Sequence, residues 1–300
     1  MKNERVISAF LVFILAVCLF TGCAGILTGD RTSGKIDFAD VDFTYEIKGG
    51  AENRTLTITG YRGASNDLNI PSSIRGIRVT AIAERAFSEK NLTSVNIPDS
   101  ITYIGAWAFF GNRLASVTIP NSVAYIGALA FWRNRLANVT IPNSVIYIGD
   151  NAFFGNYLVS VTISNSVDNI GHSAFSSNQL NNVTIPNSVS HIGNGAFLYN
   201  QLTSLSIGSS VTHIGEMAFS FNRLTSVVIP DSVTYIGALA FSGNQLTRIT
   251  IGSNVQIVSN AIDEFDIGFV QFYQRQGRRA GTYIYHNGTW RVEEAGANII

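Results

Sequence analysis

Cysteine is nearly absent from this sequence. The 300 residues contain two, Cys18 and Cys23, and both lie near the N-terminus. The long remainder of the chain therefore has no disulfide, no cysteine ligand for a metal ion and no cysteine nucleophile. Its fold must be stabilised by a hydrophobic core and hydrogen bonds alone.

Charged residues are also scarce. They make up 13% of the chain, with 20 basic and 20 acidic side chains and a formal net charge of zero. Because nucleic-acid binding depends on many Lys and Arg contacts with phosphates, this composition argues against a nucleic-acid partner. The sequence also lacks a phosphate-binding glycine loop, a His-Glu-x-x-His zinc motif and a nucleophile elbow. We therefore expect no enzyme activity, no cofactor and no metal site.

The N-terminus is typical of an export signal. Lys2 and Arg5 precede an apolar stretch over Val6–Phe20, which is shorter than the roughly 20 residues that a membrane-spanning helix needs. The stretch leads into Gly22-Cys23, which resembles the processing site of bacterial lipoproteins. The resemblance implies acyl chains on Cys23 and a lipid anchor in the bacterial cell envelope, with the protein at the cell surface. An ordinary cleaved signal that happens to contain a cysteine is the alternative.

The middle of the chain repeats with a fixed period. One copy, over residues 114–135, reads L-A-S-V-T-I-P-N-S-V-A-Y-I-G-A-L-A-F-W-R-N-R. A period in this range predicts a solenoid, in which each copy forms one coil that packs on the next. The leucine that starts each copy recurs every 22 residues without gap or insertion, at Leu92, Leu114, Leu136, Leu158, Leu180, Leu202, Leu224 and Leu246.

Each copy contains the pattern of two short strands separated by turns. The alternation Val117-x-Ile119 predicts one strand whose side chains face inward, and all six prolines of the chain occupy the position just after it or its equivalents. The recurring glycine at Gly127 predicts either a positive φ or close contact with a neighbouring backbone. Phe131 is the predicted largest core residue, on a single helical turn. Asn134 and its equivalents predict a ladder of amides that bond to each other and to the backbone.

The unit L-x-x-V-x-I-P-x-S-V-x-x-I-G-x-x-A-F-x-x-N resembles the BspA-like leucine-rich repeat of bacterial surface lipoproteins. The resemblance covers about residues 68–262 and supplies no catalytic residue. It implies a curved leucine-rich solenoid and adhesion to host proteins, to other microbes or to extracellular matrix. Together with the residue pattern, it predicts a repeat solenoid that is mainly β with short helical turns and capped at both ends.

The predicted caps lie on either side of the repeats. Alternating residues predict two strands within residues 43–61, and the first coil is degenerate, with an insertion near Arg75–Val79. After the repeats we expect a short amphipathic helix within residues 264–276 and a hairpin with an Asn287-Gly288 turn. We divide the chain into a lipoprotein signal peptide, a tether, an N-terminal β cap, the leucine-rich-repeat solenoid and a C-terminal cap with a β-hairpin, over residues 1–22, 23–37, 38–67, 68–262 and 263–300.

A binding surface is expected where the copies differ, because stacking explains the unvarying positions. The positions that flank the Ala-Phe pair are large and apolar in the early copies and mainly Ser or Gly in the later ones. Near Arg113, Arg133 and Arg135 they have the composition of a protein interface. The alternative is that they cover the junction between the N-terminal cap and the solenoid. The candidate partner-binding residues are Trp107, Phe110, Leu129, Trp132 and Phe154.

Two other outward rows are possible sites. Ser116, Thr118 and their equivalents predict an uncharged face of hydroxyls and amides that suits a glycan or an ice lattice, although Thr also simply favours exposed strands. His191 and His213 share a position in adjacent coils and should lie about 5 Å apart. Because a third metal ligand is not evident, we favour a stacked outward ladder of flat side chains over a metal site.

The sequence therefore predicts an exported, lipid-anchored repeat protein that binds macromolecules. The expected partner is a protein of the host, of the matrix or of another cell, and the expected membrane contact is through lipid on Cys23. A glycan-binding surface module and a structural scaffold of the envelope are the alternatives.

Overall fold

The computed structural model describes residues 35–36, 42–258 and 268–293. The predicted signal peptide, Cys23, most of the predicted tether and the last residues of the repeat region lie outside these ranges. Within them, no helix combines the length and the apolar composition of a bilayer span.

The repeats stack as a solenoid, as predicted. Equivalent residues of adjacent coils pair in parallel: Tyr125 is opposite Tyr147, and Ile126 is opposite Ile148. One side of the solenoid is a continuous 13-stranded sheet, which we call the ladder sheet. It contains the strands Lys35–Ile36, Phe43–Lys48, Thr55–Tyr61, Ser73–Ile74, Ile77–Ile82, Tyr103–Ile104, Tyr125–Ile126, Tyr147–Ile148, Asn169–Ile170, His191–Ile192, His213–Ile214, Tyr235–Ile236 and Gln256–Ile257.

A second side consists of shorter groups of paired strands, which we call the hydroxyl face. The outward residues of these strands are mainly Ser, Thr and Asn, and the central residue of each packs toward the core. The coil that starts at Leu114 has no strand at this position. The strands are Asp67–Asn69, Ser94–Asn96, Asn138–Thr140, Ser160–Thr162, Asn182–Thr184, Ser204–Ser206, Ser226–Val228 and Arg248–Ile251.

The third side is a corner formed by the Ala-Phe segment of each coil. The predicted single helical turn is wrong: this segment has two tight turns, closed by hydrogen bonds from Ala130 N to Gly127 O and from Trp132 N to Leu129 O, and Leu129 between them has a positive φ. The phenylalanine points inward, as predicted, and is fully buried in every regular coil. From Phe87 to Phe241 these rings stack with centroids 5.2–5.4 Å apart. The core therefore runs without interruption along the solenoid.

The recurring glycine is required by close contact, the second of the two predicted reasons. A Cβ placed on Gly127 would lie 2.5 Å from Ala106 N and 2.6 Å from Gly105 C of the preceding coil. A side chain of any size would therefore push two backbones apart. A positive φ, the other predicted reason, is found at other glycines of the described chain and not at this position.

The recurring asparagine bonds to the backbone of two coils. Asn156 Nδ2 donates to Phe131 O at 2.9 Å and to Phe153 O at 3.1 Å. Leu136 N donates to Asn156 Oδ1 at 3.1 Å. Both amide hydrogens are used in this way, so none is left for the asparagine of the next coil. The predicted bonds between neighbouring amides are therefore wrong, whereas the predicted bonds to backbone are confirmed.

The N-terminal end of the solenoid is closed by strands. Strands Phe43–Lys48 and Thr55–Tyr61 pair antiparallel, and the second joins the ladder sheet by pairing in parallel with Ile77–Ile82. The insertion in the first coil is a small hairpin, in which Ser73–Ile74 turns back onto Ile77–Ile82. The ladder sheet thus has no free edge at the first coil.

At the C-terminal end, a hairpin covers the last strand of the hydroxyl face. After the short helix Phe269–Arg275, strands Gly281–His286 and Thr289–Val292 form a hairpin. The first of these strands pairs antiparallel with Arg248–Ile251 of the hydroxyl face. Asn287 and Gly288 both have positive φ, as a two-residue hairpin turn requires. The two caps therefore protect different sheets.

Candidate interaction surfaces

Every regular coil turns its corner through two residues in the left-handed backbone region. The first position holds Trp107 and Leu129, with φ of 58° and 59°, and the second holds Arg133, with φ of 55°. Sequence reasoning missed this feature, because residues other than glycine rarely adopt a positive φ. The available signal was the intermittent glycine at the same two positions, as in Gly155 and Gly195.

The structure brings the predicted rings together at the corner of the early coils. Trp107 lies 5.0 Å from Phe110 and 5.5 Å from Trp132 between ring centroids. Phe110 and Trp132 are 5.0 Å apart, and Phe154 follows at 5.9 Å from Trp132. Leu129 is different, because it is buried with 5% of its surface exposed. We call these five residues the corner cluster.

Cations cover parts of the corner cluster. Arg85 Cζ lies 5.1 Å from the centroid of the Trp107 ring, and Arg133 Cζ lies 5.2 Å from that of Trp132. Such cation–π contacts contribute about 0.5–1 kcal/mol at exposed sites. Arg113 and Arg135 are exposed, whereas the four rings are half-buried. The surface is therefore apolar and basic, with rings that already hold each other in place.

The junction between the N-terminal cap and the solenoid is filled by other rings. Phe43 and Tyr61 lie 5.4 Å apart, and each has its centroid 6.3 Å from that of Phe87. These contacts occupy the junction that the corner cluster was alternatively expected to cover.

A second aromatic pair lies on the same corner in the later coils. Tyr199 and Phe221 stack with centroids 4.7 Å apart and are 37% and 48% exposed. They occupy the second left-handed position, the one that holds Arg133 in the early coils. Burial against its neighbours still raises the pKa of the Tyr199 phenol. Sequence reasoning missed this pair because it compared only the positions next to Ala-Phe.

Flat side chains form a ladder along the outside of the ladder sheet. Ring centroids are 5.0 Å apart between Tyr103 and Tyr125, and 5.6 Å apart between Tyr125 and Tyr147. His191 and His213 stack at 4.7 Å, which confirms the predicted spacing. Groups of three or more His, Cys, Asp or Glu side chains suited to a metal ion do not occur in the described parts of the chain. We call this row the ring ladder.

A groove of about 370 Å³ lies along the ring ladder in the middle coils. Its walls include Tyr147 and His191, with Asn169 between them in the same sheet register. Asp150 and His172 line its other side. The groove is lined by tyrosine and histidine rings, two asparagine amides and one carboxylate.

The hydroxyl face is exposed, as its pattern indicates. Asn138 pairs with Ser160 and Thr140 with Thr162, and all four side chains are exposed. Ser160 Oγ donates to Asn138 Oδ1, so part of its hydrogen-bonding capacity is used within the row. The face forms a flat row of small polar groups.

The chain is similar to known leucine-rich repeat proteins. The profile of the BspA-type leucine-rich repeat region matches residues 80–200 and 147–264, with six copies. A leucine-rich cell surface protein of Faecalibacterium prausnitzii is 30% identical, with a TM-score of 0.48 over 75% of this chain and 55% of that protein. A leucine-rich repeat protein of Bacteroides ovatus is 23% identical, with a TM-score of 0.52 over 76% of this chain and 67% of that protein.

The chain thus spans little more than half of the Faecalibacterium prausnitzii protein. No curated protein sequence matches the chain significantly.

Proposed function

The chain belongs to the BspA-type leucine-rich repeat family, and from this premise we propose that it is an exported protein that binds other proteins through the corner cluster. Its partner is a protein of the host, of the extracellular matrix or of another cell. Repeat solenoids present extended surfaces on which side chains vary from coil to coil, and this is the property that such binding uses.

The single observation that carries the proposal is the concentration of Trp and Arg at one corner. Trp107 and Trp132 lie side by side with Arg85 and Arg133 against their faces. Trp and Arg are the residues most enriched among those that dominate binding energy at protein interfaces. Because the rings already pack on each other, little side-chain entropy is lost when a partner covers them.

Export and anchoring are part of the proposal. The Lys2–Arg5 start, the apolar Val6–Phe20 stretch and Cys23 support a lipid anchor at the cell surface. Protease treatment of intact cells tests this directly: we expect rapid loss of the protein. Resistance in intact cells with loss after lysis would place the chain inside the envelope and contradict adhesion. A Cys23→Ala variant should lose metabolic labelling with palmitate.

Binding is tested on purified protein with immobilised fibronectin, laminin and collagen, and with whole host cells. The test variant is Trp132→Ser, because Ser occupies the same position in later coils, as Ser176 and Ser242, and is compatible with the fold. We expect at least a tenfold loss of affinity, typical of truncating a central interface Trp. The matched control is Ile146→Ser, which removes an apolar side chain that is 60% exposed elsewhere and should leave binding unchanged.

A Trp132→Ser protein that unfolds at the same temperature as the wild type and binds equally well would overturn the proposal. Glycan binding by the hydroxyl face and a scaffold role in the envelope are the competing functions. Binding to a glycan array that is lost when Thr140 and Thr162 become bulky, with no protein binding, would establish the first of these.

A further inference from the structure

The ring ladder is interrupted at one position. Tyr147 and His191 each carry a ring, whereas the strand between them carries Asn169. The Asn169 side chain is turned to its neighbour, since its Nδ2 donates to Asp168 Oδ2 at 2.8 Å. The space between the two rings is therefore part of the groove rather than being filled by a side chain.

The size of this space matches one flat group. Adjacent strands lie about 4.8 Å apart, so strands separated by one strand lie about 10 Å apart. The rings of the ladder stack at 4.7–5.7 Å. A planar group inserted above Asn169 would thus contact the Tyr147 ring on one side and the His191 ring on the other, at the spacing that the ladder already uses.

The charge around this space is negative. Asp150 lines the groove, and the Asp168 carboxylate is held beside Asn169. Residues 136–222 contain no Lys or Arg, and their charged residues are Asp150, Asp168 and Glu216. The groove therefore lies in a stretch of coils with no competing cation, in contrast to the arginine-flanked corner cluster.

Hydrogen bonds hold the residues in and beside the groove. Ser190 Oγ donates to Asp168 Oδ1 at 2.8 Å and lies 2.9 Å from His191 Nδ1, with which it shares a hydrogen bond. On the other side, Asn194 N donates to His172 Nδ1 at 3.0 Å. The rings and the carboxylate of Asp168 are thus positioned before any ligand arrives.

We propose that this space binds the guanidinium group of an arginine side chain on a protein partner, stacked between Tyr147 and His191 and paired with Asp150 and Asp168. Guanidinium is planar, is always charged, stacks on aromatic faces and forms hydrogen bonds to carboxylates through several N–H groups. An ammonium group lacks the plane, and a neutral aromatic ring or a sugar has no positive charge to pair with the two carboxylates. The site is separate from the corner cluster, so either can fail alone.

The histidines of the chain report on this site. There are four: His172, His191 and His213 line the groove, and His286 lies in the C-terminal hairpin as an internal control. The probe is the capped tripeptide Gly-Arg-Gly, titrated into the full-length protein in nonionic detergent while the histidine ring resonances are followed. We expect saturable shifts at His172 and His191 and none at His286.

Matched probes test each part of the proposal. Capped Gly-Lys-Gly has the same charge without the plane and should bind at least tenfold more weakly. Capped Gly-Phe-Gly and methyl glucoside should not shift the groove histidines at the same concentrations. Equal binding of the Lys and Arg peptides, binding of the Phe peptide or glucoside in place of arginine, or no shift with arginine would each overturn the proposal.

Two variants test the site: one fills the space between the rings, and the other removes a negative charge. Asn169→Tyr supplies the ring that other coils have at this position and should abolish the Gly-Arg-Gly shifts. Tyr103→His, which keeps a ring in a part of the ladder that does not line the groove, is the control and should retain them. Asp168→Asn keeps the Oδ1 acceptor for Ser190 and should weaken binding about tenfold or more, as expected for a lost charged hydrogen bond. Full binding by Asn169→Tyr would contradict the site.

Discussion

Asn134 and Trp132 lie two residues apart in one coil, but the equivalent residues in the other coils are constant at the first position and variable at the second. The first is asparagine in every regular coil, whereas the second is variously Phe110, Ser176, Leu198 or Ser242. The amide of Asn134 bonds to the backbone of its own coil and the preceding one. The Trp132 ring packs against other rings of a variable surface and against a cation. A residue whose side chain bonds to the backbone of two coils is required for stacking and stays constant. Recognition of a partner therefore depends on the variable positions.

The largest expected effect is at the invariant asparagine. Asn156→Ala leaves Leu136 N without its acceptor, at about 1–3 kcal/mol for a buried unsatisfied group. It also removes one of the two asparagine bonds that Phe131 O and Phe153 O each accept, at about 1 kcal/mol for each bond. We expect about 4 kcal/mol of destabilisation after partial relaxation, measured by urea unfolding followed by circular dichroism. Asn143→Ala, an exposed asparagine of the same coil, should change the free energy of unfolding by less than about 0.5 kcal/mol. Equal effects would remove the distinction between the two kinds of position.

The invariant glycine should rank next. Gly127→Ala places a Cβ 2.5 Å from the backbone nitrogen of Ala106, and backbone cannot move aside as a flexible side chain does. We expect about 3 kcal/mol of destabilisation from overpacking, read from the same urea experiment. Gly50→Ala is the control, because nothing lies within 4 Å of its added Cβ. A tolerated Gly127→Ala would mean that the coils are less tightly stacked than described.

The sequence alone predicted the interior of this molecule well. Period, inward residues, the phenylalanine stack and the 5 Å spacing of His191 and His213 all follow from stacking copies in register. The corner was predicted less completely, because its left-handed residues, such as Trp107 and Tyr199, leave no consistent glycine signal. The stacked row was predicted from the sequence, whereas the groove at Asn169 was not, because its other wall consists of Asp150 and His172, which face the row only in the folded chain.

A smaller effect is expected on the pH dependence of stability, through two tyrosines of the C-terminal cap. Burial raises the pKa of Tyr273 and of Tyr283, and Tyr273 Oη donates to Gly252 O at 2.7 Å. A raised pKa in the folded state favours the protonated phenol, so its contribution to stability is complete below the unfolded pKa of about 10. That contribution is lost as the pH rises through the folded pKa.

We therefore expect the unfolding midpoint to fall above about pH 10, and to fall less steeply in Tyr273→Phe. A midpoint that is independent of pH up to 11 in the wild type would contradict this coupling.

The smallest effect is expected on the hydroxyl face. Thr162→Val preserves the shape of an exposed strand residue and should change the free energy of unfolding by less than about 0.5 kcal/mol. It should also leave binding to matrix proteins unchanged, because the proposed protein-binding surface lies at the corner. A selective loss of binding in this variant would move recognition from the corner to the hydroxyl face.

The most direct test gives one coil the corner residues of another. Trp132→Ser together with Arg133→Gly gives the coil at Leu114 the corner of the coil at Leu224, which carries Ser242 and Gly243. The measurement is the affinity of this variant for the matrix protein that the wild type binds most tightly. We predict at least a tenfold loss of affinity with an unchanged cooperative unfolding transition. Undiminished affinity would contradict the claim that the variable corner carries recognition.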